Sequence, residues 1–381
     1  MRILGRGKTA LAIQEKYPQA LLFDDNHCEN FDINSSEPTV VSPGIPPHNQ
    51  LVKNTKNQIS DYDLFKDVMP YNIWISGTNG KTTTTQMLQH LLEDKGSICG
   101  GNIGLPIALM DTTAKIWILE TSSFTLHYTS KAKPNLYILL PISEDHISWH
   151  GNFEEYEKAK LKPLENLQSD DIAIVPAKYK DYKTLGKIVT YEDSKSLAKE
   201  FGIENNKINF KEPFLLDALL ALVTKKILFN EIDYDKINSF VQDAHKLEEF
   251  EDTKKRVWID DSKATNIDAT IQALKSYKNK NILLILGGDD KGANLTPLFE
   301  ELIKYNIQIF SIGSNAIRLE ELSAKYDLKC NISNTLEKAV EDIDKVYNDP
   351  SFIAMLSPAA ASLDQFDSYK HRGCKFKEYV L

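Results

Sequence analysis

Asn72-Ile73-Trp74-Ile75-Ser76-Gly77-Thr78-Asn79-Gly80-Lys81-Thr82 is the stretch whose reading decides the fold. Its first five residues predict a strand over 72–76, and the periodicity from Thr82 onward predicts a helix over 82–94. Between them lies a glycine-rich turn. Strand, glycine turn and helix start form the context of a phosphate-binding loop. Backbone N–H groups and the helix N-terminus face an anion, Lys81 adds a point charge, and the Thr82 hydroxyl can reach Mg²⁺. The full G-x-x-x-x-G-K-[ST] pattern is absent, because Ile75 stands where its first glycine would be. Residues 77–82 therefore read as a shortened loop, whose plain alternative is an ordinary glycine turn.

Outward from this point, strands and helices alternate, as in α/β domains with mainly parallel sheets. At roughly 100–200 residues per domain, 381 residues give two or three domains. Three blocks separate: 1–70, 71–243 and 244–381. The first carries short strands over 2–4, 20–23 and 39–41 and a helix over 10–17, with little core of its own. The second adds strands over 115–119, 136–140, 172–175 and 188–191, and helices over 153–167 and 215–229. The third is a second doubly wound unit. Its strands are predicted over 256–260, 281–286, 307–312 and 352–356, and its helices over 267–277, 297–305, 316–326 and 335–346.

Composition narrows the function classes. The net charge of −9 disfavours general nucleic-acid binding, which needs a basic face. No apolar run approaches the ~20 residues of a membrane span, and the N-terminus lacks the pattern of a signal peptide. Cys28, Cys99, Cys330 and Cys374 form no C-x-x-C pair, so neither zinc nor a disulfide framework is indicated. A reduced, cytoplasmic setting fits, with neither nucleic acid nor membrane as partner.

Candidate chemistry clusters at strand ends, where open α/β sheets bind ligands. Glu120 ends one strand, with Thr121-Ser122-Ser123 as helix-cap residues. Its alternative is a surface glutamate. Glu144-Asp145-His146 follows another strand, and could serve a cation and a phosphate or be a solvated loop. Lys160 lies in a predicted helix and reads, on its neighbours alone, as a surface lysine paired near Tyr156 or Glu157. In the third block, Asp260–Asn266, Gly287–Lys291 and Ser357–Phe366 each follow a strand. Three such ends together argue for one ligand-binding edge.

These stretches, with Gly101-Asn102-Ile103-Gly104-Leu105-Pro106, make the chain resemble the ATP-dependent Mur ligases of bacterial cell-wall synthesis. Asp261-Ser262-Lys263-Ala264-Thr265-Asn266 and the stretch from Ser357 to Phe366 resemble the D-glutamate-adding branch. The Asp-Asn-Pro-Arg motif of the diaminopimelate- or lysine-adding branch is absent. The resemblance implies an α/β fold of three domains: a Rossmann-like UDP-substrate-binding unit, a central P-loop ATPase-type parallel sheet, and a mobile Rossmann-like C-terminal domain. It implies a monomer that joins D-glutamate to UDP-N-acetylmuramoyl-L-alanine through an acyl phosphate, using ATP and two Mg²⁺ ions.

Residue roles follow from the resemblance. Gly77, Thr78, Asn79, Gly80, Lys81, Thr82 and Thr83 would cradle the ATP phosphates. Thr82 and Glu120 would hold one Mg²⁺, and His146 a second. Lys160 matches a lysine that family members carry as a carbamate, which turns a cation into an anionic metal ligand. Lys8, Thr9, Asp25, Asn26, Ser42, Pro43 and Gly44 would surround the uridine diphosphate, and Asn102 would contact the same substrate. Asn266 would read adenine and Asp289 the ribose. Lys291, Arg318, Ser362, Leu363 and Tyr369 would lie around D-glutamate. Some positions depart from the family. Its His-Arg pair reads His245-Lys246 here, so Lys246 would meet a phosphate without a bidentate fork. Tyr369 stands where Phe is common. Glu212–Asp217 replaces an Asn-rich stretch, and the N-terminal block is shorter than usual.

Overall fold

The computed structural model describes residues 1–381. It holds three sheets. The first has strands β1 (Arg2–Leu4), β2 (Leu21–Phe23), β3 (Thr39–Val41) and β4 (Gln58–Ile59), in the parallel order β2-β1-β3-β4. The second has β5 (Tyr71–Ser76), β6 (Ser97–Gly101), β7 (Ile116–Glu120), β8 (Leu136–Leu139), β9 (Ile172–Pro176) and β10 (Lys187–Tyr191). Their order is β10-β9-β8-β5-β7-β6, again all parallel. The third has β11 (Glu248–Glu251), β12 (Val257–Asp260), β13 (Asn281–Gly287), β14 (Ile307–Ile312), β15 (Lys329–Asn334) and β16 (Phe352–Leu356), in the order β11-β12-β16-β13-β14-β15. Only β11 runs antiparallel.

The chain divides into two compact units, Met1–Phe240 and Val241–Leu381. The first unit contains two sheets because the N-terminal block shares its core with the central one. Strand β5 shows how. Alternate side chains face opposite sides of a strand. Ile73 and Ile75 pack with Met87, Leu88 and Leu219. Trp74 turns the other way and packs with Ala10, Ile13, Tyr62 and Phe65. The Tyr62 ring meets the Trp74 ring edge-on at 4.7 Å between centroids. A block of short strands with little apolar surface is thus completed by its neighbour.

The second unit has its own core on both faces of its sheet, with Leu284 and Met355 on one side and Ile285, Phe310 and Phe376 on the other. Among the elements the sequence missed are β4, β6, β11 and β15, whose residues make no apolar run, and the last helix, Tyr369–Val380. No helix is long and apolar enough to cross a membrane. All four cysteines are free thiols.

Candidate active site

Neighbouring parallel strands β8, β5 and β7 end together, and their ends carry the loop of residues 77–82, the loop after Leu140, and Glu120. The Thr121 N–H donates to the Ile75 oxygen (2.8 Å) and the Leu140 N–H to the Ser76 oxygen (2.8 Å), which holds the three ends in register. Gly77 has φ +140°, and a Cβ there would lie 2.4 Å from the Cβ of Leu140. Gly80 has φ +82° and starts the helix Lys81–Leu92. Only glycine suits both positions. Thr78 ties the loop down. Its Oγ1 accepts from the Ser143 N–H at 3.0 Å and lies 2.9 Å from the Tyr156 hydroxyl. The Lys81 Nζ folds back to donate to the Gly77 and Thr78 oxygens (3.0 and 2.6 Å). Burial lowers the pKa of this ammonium, against the opposing pull of Glu120 and Asp145.

Glu120 is 2% exposed, so the surface-glutamate reading is set aside. Its Oε1 accepts from the Asn102 Nδ2 at 2.7 Å, and the Asn102 N–H donates to the Glu120 backbone oxygen at 2.9 Å. Its Oε2 is buried without a hydrogen-bond partner. Leaving such an acceptor unpaired costs about 1–3 kcal/mol or more. An unpaired carboxylate oxygen beside a phosphate-type loop, with the Thr82 hydroxyl in the adjoining first helical turn, fits a hard cation.

The structure corrects the reading of Lys160 as a surface lysine. It is 1% exposed. The helix Phe153–Asn166 turns this position inward, and Nζ donates to the Gly77 oxygen at 2.7 Å, 4.8 Å from the Tyr156 ring centroid. Burial, and then the nearby Lys81 charge, hold its pKa well below the usual lysine range. His146 lies in the left-handed region (φ 54°) and starts the short helix Ile147–His150. Its ring packs edge-on against Phe124 at 4.7 Å, and its Nε2 lies 3.6 Å from an Asp145 oxygen. Glu144 and His146 are exposed.

The other expected residues fall in two places. At the C-terminal edge of the first sheet, Lys8, Asp25 and Asn26 are exposed. The Asp25 carboxylate accepts both its contacts from the Asn49 Nδ2 (3.0 and 2.9 Å). The Asn26 N–H donates to Asp24, and Thr9 lies in the first turn of the helix Lys8–Lys16. Ser42 is buried with an unpartnered Oγ, and Pro43 and Gly44 continue its loop.

In the second unit, β12, β16 and β13 are neighbours and their ends meet as expected. The Asp261 N–H donates to the Leu356 oxygen, the Gly287 N–H to the Pro358 oxygen, and Asp289 pairs with Ala361. Asn266 caps the helix Ile267–Ser276, and the Lys291 N–H donates to Asp289. Ser362 is buried, while Lys291 and Leu363 are exposed. The Lys263 Nζ lies 4.3 Å over the Tyr369 ring. Lys246 is 9% exposed and reaches Asp243 at 3.2 Å. Arg318 bonds Asp290 at 2.7 Å and the Ala293 oxygen at 2.8 Å, so a ligand carboxylate would share it with this loop.

Comparison with known proteins gives this geometry a family. Residues 75–235 match the Mur ligase middle domain. The chain is 47% identical to the "UDP-N-acetylmuramoylalanine--D-glutamate ligase" of Campylobacter jejuni (strain 81-176), covering 99% of this chain and 98% of that protein. It is 44% identical to the protein of the same name from Helicobacter pylori (strain 26695), covering 100% and 99%. The chain belongs to this ligase family. Its fold is also that of the MurF ligase from Thermotoga maritima solved with ADP, at 14% identity and a TM-score of 0.61 over 91% of this chain and 88% of that one.

Two buried residues that sequence reading passed over, Asp217 and Arg372, support these loops. Asp217 is 3% exposed and accepts from the Thr84 Oγ1 at 2.8 Å. A Cβ on Gly80 would lie 2.5 Å from its Oδ1, so it backs the loop directly. It lies in the stretch 212–217 that departs from the family, and a single acidic residue in an apolar helix start was its only signal. Arg372, 1% exposed, donates to the Ser262 and Ala360 oxygens and clasps two of the three strand-end loops. Burial lowers its pKa to about 10, against the pull of Asp364, Asp260 and Asp261. Asp261 is itself pushed up to about 8 by burial. Neither Asp217 nor Arg372 announced its burial in the sequence.

Proposed function

We propose that residues 77–82 with Glu120, His146 and Lys160 form the phosphoryl-transfer centre of an ATP-dependent ligase joining D-glutamate to UDP-N-acetylmuramoyl-L-alanine, in peptidoglycan precursor synthesis. The observation that carries this reading is one strand-end edge holding a glycine loop, the half-buried Lys81, the buried Lys160 and a carboxylate with an unpaired oxygen. A carboxylate acceptor and a triphosphate repel each other. Lys81 is placed to exchange its two carbonyl partners for phosphate oxygens and to stabilise charge on the transferring phosphoryl group. The acceptor carboxylate takes the γ-phosphoryl group, the D-glutamate amine attacks the acyl phosphate, and phosphate leaves.

Thr82 and Glu120 would hold one Mg²⁺, and His146 with a Lys160 carbamate a second. Bound there, Mg²⁺ would neutralise phosphate charge. Burial beside Lys81 favours the neutral Lys160 amine. That amine is the form that adds to CO₂: a C–N bond forms, one proton is lost, and the neutral amine becomes an anion.

The same reading gives Lys8, Thr9, Asp25, Asn26, Ser42, Pro43, Gly44 and Asn102 to the uridine nucleotide. It gives Lys246 to a phosphate, Asn266 to adenine, Asp289 to ribose, and Lys291, Arg318, Ser362, Leu363 and Tyr369 to D-glutamate. It divides the chain into domains 1–70, 71–243 and 244–381, acting as a cytoplasmic monomer.

Phosphate release by the purified chain with ATP, Mg²⁺ and UDP-N-acetylmuramoyl-L-alanine tests this, with each amino acid offered in turn. D-glutamate should be required. Release that depends on L-alanine, L-glutamate or diaminopimelate, and not on D-glutamate, would sink the assignment.

A further inference from the structure

Phosphoryl transfer leaves unused a thiol, an imidazole and a carboxylate set in line in the second unit. Cys374 is exposed on the helix Tyr369–Val380, and its Sγ lies 3.8 Å from the His245 Nε2. The His245 Nδ1 lies 2.6 Å from an Asp260 oxygen, with the imidazole side chain 9% exposed and the carboxylate 0%. A carboxylate can only accept, so Asp260 fixes the proton on Nδ1 and turns the Nε2 lone pair toward the sulfur. The ring is held firmly. It lies against Gly373, where a Cβ would come within 2.2 Å of Nδ1. The His245 backbone N–H donates to Glu248 at 3.1 Å, and its oxygen accepts from the Lys263 N–H at 3.0 Å. Glu248 is in turn paired with Lys377, on the same helix as Cys374, at 2.6 Å. Thiol, base and orienting acid are the parts that activate a cysteine nucleophile.

We propose that Cys374 is a site of covalent modification, a surface thiol that His245 deprotonates for attack on small electrophiles such as peroxides. The thiol proton moves to the His245 Nε2 and Sγ attacks one peroxide oxygen. The S–O bond forms as the O–O bond breaks, and the departing hydroxide takes the proton from Nε2 as water. Sulfur is oxidised to the sulfenic acid and the peroxide is reduced. With a haloacetamide the S–C bond forms, halide leaves, and the proton stays on His245.

Iodoacetamide labelling of the full chain, followed by peptide mass spectrometry of each cysteine, tests this. Cys28 is the internal control, since the only hydrogen-bond partner of its Sγ is the Asp25 backbone oxygen, at 3.8 Å, and no imidazole is bonded to it. Each cysteine is scored by its rate at pH 7 relative to its own rate at pH 10, where solvent hydroxide ionises a thiol without help. A base-assisted Cys374 should keep a fraction about 10-fold larger than Cys28 does. His245→Asn should remove that excess at pH 7, leaving the rate at pH 10 and the labelling of Cys28 unchanged. Equal fractions in the parent chain would overturn the proposal whether or not the variant folds. So would an excess that survives His245→Asn.

Discussion

The loop of residues 77–82 and the C-terminal edge of the first sheet are built on one plan, a turn after a buried parallel strand, and they differ in how dry they are. Around the loop, Glu120 and Lys160 are almost fully buried, and Lys81 and Lys160 are fixed on backbone carbonyls. At the first sheet, Lys8, Asp25 and Asn26 stand in solvent, and Asp25 is held by one asparagine side chain. Charge transfer gains from a fixed, water-poor site, because electrostatic interactions weaken in water. Recognition of a soluble nucleotide can be spread over several weak contacts. Single substitutions should therefore hurt the loop far more than the edge.

The largest effect is expected at Lys81. Lys81→Ala should lower turnover by about 10³, the upper range for removing one transition-state charge partner. Loss of less than about 10-fold in phosphate release would break the contrast. Lys160→Ala should cost about 10² in turnover, and added formate or acetate should restore part of it by standing in for the carbamate. Full activity without rescue would return Lys160 to a packing role.

A third test asks whether dryness rather than residue type sets behaviour, in the second unit. Burial raises the Asp261 pKa to about 8, while an unfolded chain titrates it near about 4. The folded form therefore holds the proton more tightly. This contribution to stability is complete below about pH 4 and is lost as pH rises to about 8. Asp261→Asn should flatten the fall in thermal midpoint of this unit between pH 5 and pH 8. An equally steep fall in the variant would contradict the burial account.

The smallest effect belongs to the solvated edge. Asn49→Ala frees Asp25 and should raise KM for the nucleotide acceptor about 3-fold with kcat unchanged, as for other exposed polar contacts. A kcat loss comparable to that of Lys160→Ala would erase the distinction.

What could be read in the sequence follows the same line. Strands β5, β8 and β13 are buried on both faces, so each is a near-continuous apolar run that needs no tertiary information to be seen. The edge strands β6 and β15 lack such a run: Ser-Ile-Cys-Gly-Gly and Lys-Cys-Asn-Ile-Ser-Asn are set by pairing to a neighbour. The glycine loop and Glu120 were legible because a strand end is a local position. Lys160 was not, because Glu and Lys surround it and only packing of its helix turns it inward. Asp217 and Arg372 act across long separations of chain, 133 residues to Thr84 and 110 to Ser262, so no local pattern could expose them.

The most direct measurement of the phosphoryl-transfer account uses UDP-N-acetylmuramoyl-L-alanine labelled with ¹⁸O in its carboxylate, with ATP, Mg²⁺ and D-glutamate. If the carboxylate is phosphorylated, mass spectrometry of the released phosphate should find one ¹⁸O transferred per turnover. Phosphate free of ¹⁸O while amide product accumulates would contradict an acyl phosphate, and with it the role given to the loop, Lys81 and Lys160.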